Sequence, residues 1–149
     1  MAHKSQYIVE NQEKYLGNNK NIVCRSSWER AVCKWADANK DIAKWASEEV
    51  VINYLCQTDL KYHRYFIDFL LVKSDGSKFL VEVKPSDQTK PPKPPKSGRM
   101  TKSFKEAQKT WVKNCSKWKA AEHFAKKNGM KFVIWTEHTL KKLGIKIVS

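Results

Sequence analysis

Two short apolar segments joined by a polar turn decide the fold of this sequence. Residues 65–71 are Y-F-I-D-F-L-L and residues 79–84 are F-L-V-E-V-K, with S-D-G-S at 74–77 between them. Apolar segments that flank an Asp-Gly turn predict a β-hairpin. Each strand carries a carboxylate, Asp68 in the first and Glu82 in the second, although acidic residues are depleted in strands. Lys84 is a third charged residue among the apolar ones. Because an unpaired buried carboxylate is costly, these charged groups either pair with each other and nothing more, or they hold a metal ion.

The turn sets the register of this hairpin. A three-residue loop at 74–76, with Gly76 at the position that needs a positive φ, places Asp68 opposite Glu82 with Cβ atoms about 5 Å apart. A two-residue turn would shift the pairing by one residue. Lys84 projects from the same face as Glu82, because side chains alternate along a strand. Two carboxylates at this separation repel unless a cation lies between them, and oxygen ligands suit Mg²⁺ or Mn²⁺.

The charge of the chain favours a polyanionic partner. Lys and Arg number 29 against 15 Asp and Glu, a net charge of +14, which favours nucleic acid over a merely solvated basic surface. A chain of 149 residues predicts one domain, which we place at residues 23–149. Residues 1–22 are polar and Asn-rich, and we expect an N-terminal arm, extended or with one short helix, that orders only against the domain or a partner.

Neither export nor zinc is expected. No apolar run approaches a membrane span, and the N-terminus has no secretory segment. The four cysteines are scattered without a Cys-x-x-Cys pair, and the four histidines show no ligand spacing. We therefore predict reduced thiols, no zinc and no membrane.

A capped helix precedes the hairpin. Ser26 and Glu29 form a capping box, and Trp28, Val32 and Trp35 follow at helical spacing, which predicts a helix over residues 26–39. The cap by itself explains Glu29 without an active site.

The remaining segments alternate between strand and helix patterns. A strand over 61–72 would place Tyr62, Arg64 and Phe66 on the face of Asp68, and Arg64 would then contact a phosphate or pair with Glu48 or Glu49. The strand at 131–136 follows helices, which favours a parallel neighbour. The other predicted elements are a strand at 48–55, helices beginning near Thr101 and covering 118–128 and 137–143, and a short strand at 145–148.

A basic, proline-rich loop follows the second hairpin strand. Residues 85–99 hold all five prolines of the chain together with Lys90, Lys93, Lys96 and Arg99. The stretch is predicted to be extended, either as a solvated spacer or as a flap beside the site that follows a phosphate backbone. We expect the nucleic-acid contacts at Arg25, Arg64, Lys90, Lys93, Lys96, Arg99, Lys102 and Gln108, with Gln108 approaching the site from its helix.

The hairpin acids resemble the signature of a nuclease superfamily. Asp68 followed by Glu82-Val83-Lys84 is similar to the Asp…Glu-x-Lys pattern of the PD-(D/E)xK nucleases, with Ile67 where the superfamily name has Pro. The resemblance implies an α/β fold with a restriction-endonuclease-like core, a mixed β-sheet with an antiparallel hairpin flanked by helices. It also gives Glu29 a second interpretation, as the acid on the first core helix that binds metal or orients the attacking water.

Further segments resemble a narrower family, the head-completion nucleases of T-even-type tailed bacteriophages, and more loosely the nuclease subunit of Tn7-type transposons. The segments are RSSWE at 25–29, RYFID at 64–68, EVKP at 82–85, PPKP at 91–94, KWKAA at 117–121 and KFVIWTE at 131–137. This resemblance implies a role late in virion assembly on DNA ends at the head vertex. It also implies phage head, portal or neck proteins as partners, and a location in the host cytoplasm or the virion.

Together these features predict a Mg²⁺-dependent endodeoxyribonuclease for double-stranded or branched DNA. The predicted catalytic residues are Glu29, Asp68, Glu82 and Lys84, and the predicted metal ligands are Asp68, Glu82, Glu29 and the Val83 carbonyl. The alternatives are a non-catalytic DNA-binding or structural head-completion protein, a transposon-type or repair endonuclease of the same superfamily, and a basic RNA-binding module.

Overall fold

The computed structural model describes residues 4–147, which form eight strands and three α-helices. In chain order these are β1 (Ser5–Tyr7), β2 (Ile22–Cys24), α1 (Ser27–Ala38), β3 (Ile42–Ser47), β4 (Val51–Cys56), β5 (Lys61–Phe66), β6 (Phe69–Lys73), β7 (Lys78–Val83), α2 (Lys102–Lys127), β8 (Lys131–Trp135) and α3 (Glu137–Lys142). None of the helices in this part of the chain has the length and apolar character that crossing a membrane requires.

A four-stranded mixed sheet, in the order β3-β6-β7-β8, lies at the centre of the protein. β3–β6 and β6–β7 are antiparallel, whereas β7–β8 is parallel, as expected for two strands separated by a helix. The two faces of β7 face different cores: Val81 packs in the cluster that contains α1, and Leu80 in the cluster that contains α2. The predicted fold class, a mixed sheet with an antiparallel hairpin flanked by helices, is confirmed.

The β6–β7 hairpin has the predicted three-residue loop. The Ser77 carbonyl accepts from the Lys73 N–H at 2.8 Å, and Gly76 has a φ of 91°, which a side chain would disfavour. Phe69 pairs with Val81 and Leu70 with Leu80, so the register continues to bring Asp68 level with Glu82. The register prediction is therefore confirmed for the paired residues.

The predicted strand over 61–72 is wrong as a single element, because the chain changes sheets at Ile67 and Asp68. β5 pairs with β4 in a separate two-stranded ribbon, whereas β6 pairs with β3 and β7. Alternation therefore does not carry across the break, and the expected common face of Tyr62, Arg64, Phe66 and Asp68 does not form.

The strand predicted at 48–55 begins earlier than β4 does, and β3 was not predicted as a strand. Glu48 has a φ of 54° and turns the chain between β3 and β4. Residues 42–47 form a strand of their own, because their apolar side chains Ile42, Trp45 and Ala46 are buried against the sheet.

The N-terminal segment, expected to be ordered only against the domain or a partner, packs against the domain. β1 pairs antiparallel with β2, and Tyr7 and Tyr15 pack edge-on against Trp45 with ring centroids 5.9 and 4.8 Å away. Val9 and Ile22 are buried in the same core. From residue 4 onwards, the segment is thus packed on the body of the protein through its buried apolar residues, whereas Ile8 and Leu16 are exposed.

Asp37 joins this segment to the end of α1. It is only 1% exposed, and its carboxylate accepts hydrogen bonds from the Tyr7 hydroxyl at 2.8 Å, the Glu10 N–H at 2.8 Å and the Asn11 N–H at 3.1 Å. Lys14 Nζ donates to three carbonyls at the C-terminal end of α1. A cation at this end of a helix also complements the helix dipole.

The N-terminal cap predicted for α1 is present, whereas some predicted helix and strand ends differ from the structure. The Ser26 hydroxyl accepts from the Glu29 N–H at 3.2 Å at the start of α1, as the capping box predicts. α2 is one continuous helix of 26 residues, where two were predicted, since no Gly or Pro interrupts it. Residues 145–147 of the predicted last strand form no strand, and Val148 lies outside the described residues.

Candidate active site

Asp68 lies where the chain passes from the β4–β5 ribbon into the central sheet. Its Oδ2 accepts a hydrogen bond from the Val83 N–H at 2.8 Å, and its carbonyl accepts from the Glu48 N–H at 3.1 Å. The break between β5 and β6 therefore fixes the Asp68 carboxylate beside the last residues of β7.

Glu82 is held at both of its carboxylate oxygens. It is 7% exposed; the Tyr65 hydroxyl donates to Oε1, and Lys84 Nζ lies 3.3 Å from Oε2. Tyr65 comes from the ribbon and Lys84 from the end of β7. The structure thus brings Asp68, Glu82 and Lys84 together, at the place where the hairpin register predicted them.

The acids of this site have raised pKa values. Burial raises the pKa of Asp68 well above its usual range, and the neighbouring Glu82 and Glu29 raise it further, while the Val83 N–H and Lys84 oppose the shift. Burial also raises the pKa of Glu29, with Glu48 and Glu82 adding to the effect and the Arg25 N–H opposing it. Crowded, partly desolvated carboxylates favour either protonation or a bound cation.

Glu29 takes part in the N-terminal cap of α1, and its negative charge also acts on the neighbouring acids of the site. Its Oε1 accepts from the Arg25 N–H at 3.4 Å, and its own N–H donates to Ser26. Its charge acts on the pKa of Asp68, as described above. The two interpretations of Glu29 are therefore compatible, and its role in catalysis stays a prediction.

The donor set fits a hard divalent cation. Asp68, Glu82 and Glu29 offer carboxylate oxygens, the ligand type that Mg²⁺ and Mn²⁺ prefer. In this structure the oxygens of these three acids do not all lie within 4.8 Å of one another. The Val83 carbonyl remains a predicted ligand; the contact that the structure gives for this residue is its N–H to Asp68.

Two residues of the site were not predicted from the sequence. Tyr65 belongs to a buried strand pattern, and its hydroxyl was not distinguished from the core around it. Lys117 was grouped with the lysines of a solvated helix face, yet it is half-buried with Nζ 5.3 Å from the centroid of the Tyr65 ring. Burial lowers the pKa of Lys117, with Lys113 and Lys84 in the same direction and Glu82 and Asp68 opposing.

The tyrosine hydroxyl stays protonated. Burial raises the pKa of Tyr65 far above its usual value, and the charges of Glu82 and Asp68 add to this shift. The Tyr65 hydroxyl therefore keeps its proton near neutral pH and donates it in the hydrogen bond to Glu82.

The two arginines predicted to contact DNA have different surroundings. Arg25 Nε lies 3.1 Å from Glu48 Oε1, and Arg64 lies over the Phe66 ring at 5.6 Å. Glu49 instead accepts from the Tyr15 hydroxyl at 3.0 Å. Within residues 4–147, Arg64 pairs with neither Glu48 nor Glu49, so the ion-pair alternative for it is wrong, and the phosphate contact stays a prediction.

The proline-rich loop is anchored at its first turn. Ser86 donates from its N–H and its hydroxyl to the carboxylate of Glu137, at 2.8 and 3.1 Å, and a 3-10 turn covers Ser86–Thr89. The rest of the loop has no regular structure, as predicted. The other predicted DNA contacts are all exposed: Lys90, Lys93, Lys96, Arg99, Lys102 and Gln108.

A second group of donors lies at the tip of the β4–β5 ribbon. The ligand atoms of Cys56, Asp59 and His63 lie within 4.8 Å of one another. The spacing of the cysteines and histidines in the sequence did not predict this group. His63 Nε2 is 2.7 Å from Asp59, and Cys56 Sγ is 3.0 Å from the Thr58 hydroxyl. These contacts give all three side chains a polar partner without a bound metal ion.

Comparisons with known proteins identify a family and a relative for this chain. Residues 39–137, which include Asp68, Glu82 and Lys84, match the family described as TnsA-like endonuclease N terminal. A protein of Enterobacteria phage T4 named head completion nuclease is 40% identical over 148 residues, which cover 98% of this chain and 99% of that protein. No solved structure matches the chain significantly. The chain belongs to the family of TnsA-like endonucleases.

Proposed function

We propose that this protein is a divalent-metal-dependent DNA endonuclease that acts in completion of the bacteriophage head. The observation that carries the proposal is the meeting of Asp68, Glu82 and Lys84 at the end of the β6–β7 hairpin. All three lie within the residues that match an endonuclease family.

The proposed cofactor is Mg²⁺, with Mn²⁺ as a substitute. Asp68 and Glu82 would hold it, with Glu29 and the Val83 carbonyl as further oxygen ligands. When bound, such an ion polarises the scissile phosphate and lowers the pKa of a water ligand. The raised pKa values of Asp68 and Glu29 support this assignment, because crowded carboxylates are stabilised by a cation.

The chain's own residues orient the reactants. Lys84, now 3.3 Å from Glu82, would hold the attacking water or neutralise the charge that develops on the phosphate. Glu29, at the start of α1, would orient the water or complete the ligand set. Each of these roles places a charge beside the phosphodiester bond that is broken.

The proposed substrate is double-stranded or branched DNA held by its backbone. The net charge of +14 and the exposed cations of the proline-rich loop support phosphate contacts. The described part of the chain offers no element that would enter a groove to recognise bases, so we propose cutting selected by DNA structure or ends.

The biological setting is proposed from the relative. The T4 protein is named a head completion nuclease and aligns along nearly the whole chain. We place the present protein likewise at phage heads in the host cytoplasm or in the virion, with head, portal or neck proteins as partners and packaged DNA ends at the head vertex as substrate.

A nicking assay tests the enzymatic part of this proposal. Supercoiled plasmid is incubated with the protein in Mg²⁺ or in EDTA, and nicked circles are measured on gels. We expect nicking in Mg²⁺ only, its loss in Asp68→Asn and its retention in Asp75→Asn, which changes an exposed Asp of the same hairpin. Wild-type protein that binds DNA or heads but never nicks in any divalent metal would instead support the non-catalytic alternative.

A further inference from the structure

The carboxylate of Glu82 has a buried partner to which the mechanism above gives no role. Tyr65 is 4% exposed, and its hydroxyl donates to Glu82 Oε1. Tyr65 lies on β5 of the separate ribbon, whereas Glu82 lies on β7 of the central sheet. The ribbon thus fixes the orientation of an active-site acid that belongs to another sheet.

Lys117 of α2 lies over the same tyrosine ring. Its Nζ is 5.3 Å from the centroid, within the range of a cation–π contact. It is half-buried, and it forms no ion pair with any carboxylate in residues 4–147. A partly desolvated cation that makes no direct ion pair is costly, and a direct contact with a phosphate would offset that cost.

Other lysines on α2 do not share this position. Lys113, one turn earlier, and Lys119, two residues later, are both exposed. Lys119 borders a groove on the other side, with Leu55 and Trp111. Lys117 is therefore half-buried because of its particular position against Tyr65, and not simply because α2 carries many lysines.

We propose that Tyr65 and Lys117 are functional residues of this site, Tyr65 as a positioning residue for Glu82 and Lys117 as a cation that contacts a DNA phosphate. The inference rests on the proposed nuclease function. Tyr65 keeps Glu82 Oε1 fixed, so that Glu82 needs less reordering when it binds a cation. Lys117 supplies a positive charge on the α2 side of the site, opposite the strand end that carries Lys84.

Fixing Glu82 requires only the hydroxyl of Tyr65, which a phenylalanine lacks. The variant Tyr65→Phe keeps the ring in the core and under Lys117. Loss of such a hydrogen bond to a metal ligand typically weakens metal binding by about 10–100-fold. We expect Mn²⁺ affinity, measured from the EPR signal of free Mn²⁺, to fall by about tenfold. Tyr54→Phe, which changes the buried tyrosine next to it, is expected to bind Mn²⁺ like the wild type.

Lys117 is tested by DNA binding in EDTA, where no cleavage occurs. A single phosphate contact contributes about 1 to the slope of log K against log salt. We expect Lys117→Ala to reduce this slope by about 1, Lys117→Arg to restore it, and the matched exposed variant Lys119→Ala to leave it unchanged.

Neither readout depends on turnover, so each separates this inference from the nuclease proposal. A wild-type protein that fails to nick DNA contradicts the proposed function, while the Mn²⁺ and DNA affinities still decide the roles of Tyr65 and Lys117. Equal Mn²⁺ affinity for Tyr65→Phe and the wild type would overturn the positioning role. Equal slopes for Lys117→Ala and Lys119→Ala would overturn the phosphate contact.

Discussion

Two aspartates of this protein are surrounded by opposite kinds of groups. Asp37, at the end of α1, accepts hydrogen bonds from one hydroxyl and two backbone N–H groups. Asp68, at the change of sheets, accepts from one backbone N–H and is crowded by Glu82 and Glu29. The first carboxylate is satisfied by donors of the chain itself, whereas the second leaves negative charge to be balanced.

The difference separates an acid that supports the fold from an acid to which we assign a role in the proposed catalysis. A buried carboxylate with several donors joins distant segments, as Asp37 joins the N-terminal segment to α1. A carboxylate beside other carboxylates costs folding energy unless it is protonated or binds a cation. The charge of Asp68 is therefore balanced either by a proton or by a bound cation, and the predictions below test the contrast with Asp37.

The largest expected effect is on catalysis. Asp68→Asn should lower the rate of Mg²⁺-dependent nicking by about 10³-fold or more, comparable to the loss of a main stabilising group of a transition state. Asp37→Asn should retain nicking at a temperature where circular dichroism shows both variants folded. A loss of similar size in Asp37→Asn would remove the contrast between the two acids.

The next largest effect is on folding at Asp37. Asp37→Ala leaves the Tyr7 hydroxyl and the N–H groups of Glu10 and Asn11 without their acceptor. Unsatisfied buried donors cost about 1–3 kcal/mol each, so we expect the free energy of unfolding to fall by about 3 kcal/mol or more in urea titrations. The exposed Asp41→Ala is the control and should change it by less than about 0.5 kcal/mol.

In the absence of metal, a smaller effect on stability is expected for Asp68→Asn, and it is a gain of stability where Asp37→Ala gives a loss. Because its pKa is raised in the folded protein, Asp68 contributes stability below the pKa of an ordinary carboxyl and loses it as the pH rises through the raised value. In EDTA near pH 8, Asp68→Asn should therefore raise Tm by about 2–4 °C. The difference from the wild type should shrink as the pH is lowered, and a variant that is less stable at every pH would contradict this account.

Much of the hairpin could be predicted from the sequence, because a local rule determines it. Of the two loop lengths that the Asp75-Gly76 turn allows, the three-residue loop is present, and its register brings Asp68 level with Glu82. Alternation along the second strand then places Lys84 on the side of Glu82. The cap at Ser26 is equally local.

The remaining features depend on long-range packing. The residue pattern at 61–72 does not reveal that the chain changes sheets at Ile67, because both parts contain the aromatic or β-branched residues that favour strands. The N-terminal segment is polar in composition, and only the distant acceptor at Asp37 and the partner ring of Trp45 explain why it is ordered. Lys117 has the same residue type and spacing as its exposed neighbours, so its position over Tyr65 could not be inferred from the helix pattern.

The smallest expected effect is at the exposed pair of Arg25 and Glu48, which lies at the margin of the site. Exposed ion pairs contribute about 0–1 kcal/mol, so Arg25→Ala should change the free energy of unfolding by less than about 1 kcal/mol. If Arg25 contacts DNA, the same variant should reduce the salt slope of DNA binding by about 1. An unchanged slope would remove Arg25 from the set of DNA contacts.

The most direct test of the central claim is anomalous diffraction from a crystal soaked in Mn²⁺. The account predicts a peak within about 2.5 Å of oxygens of both Asp68 and Glu82, with no peak at Asp37. A peak confined to the group of Cys56, Asp59 and His63, with none near Asp68 and Glu82, would contradict it.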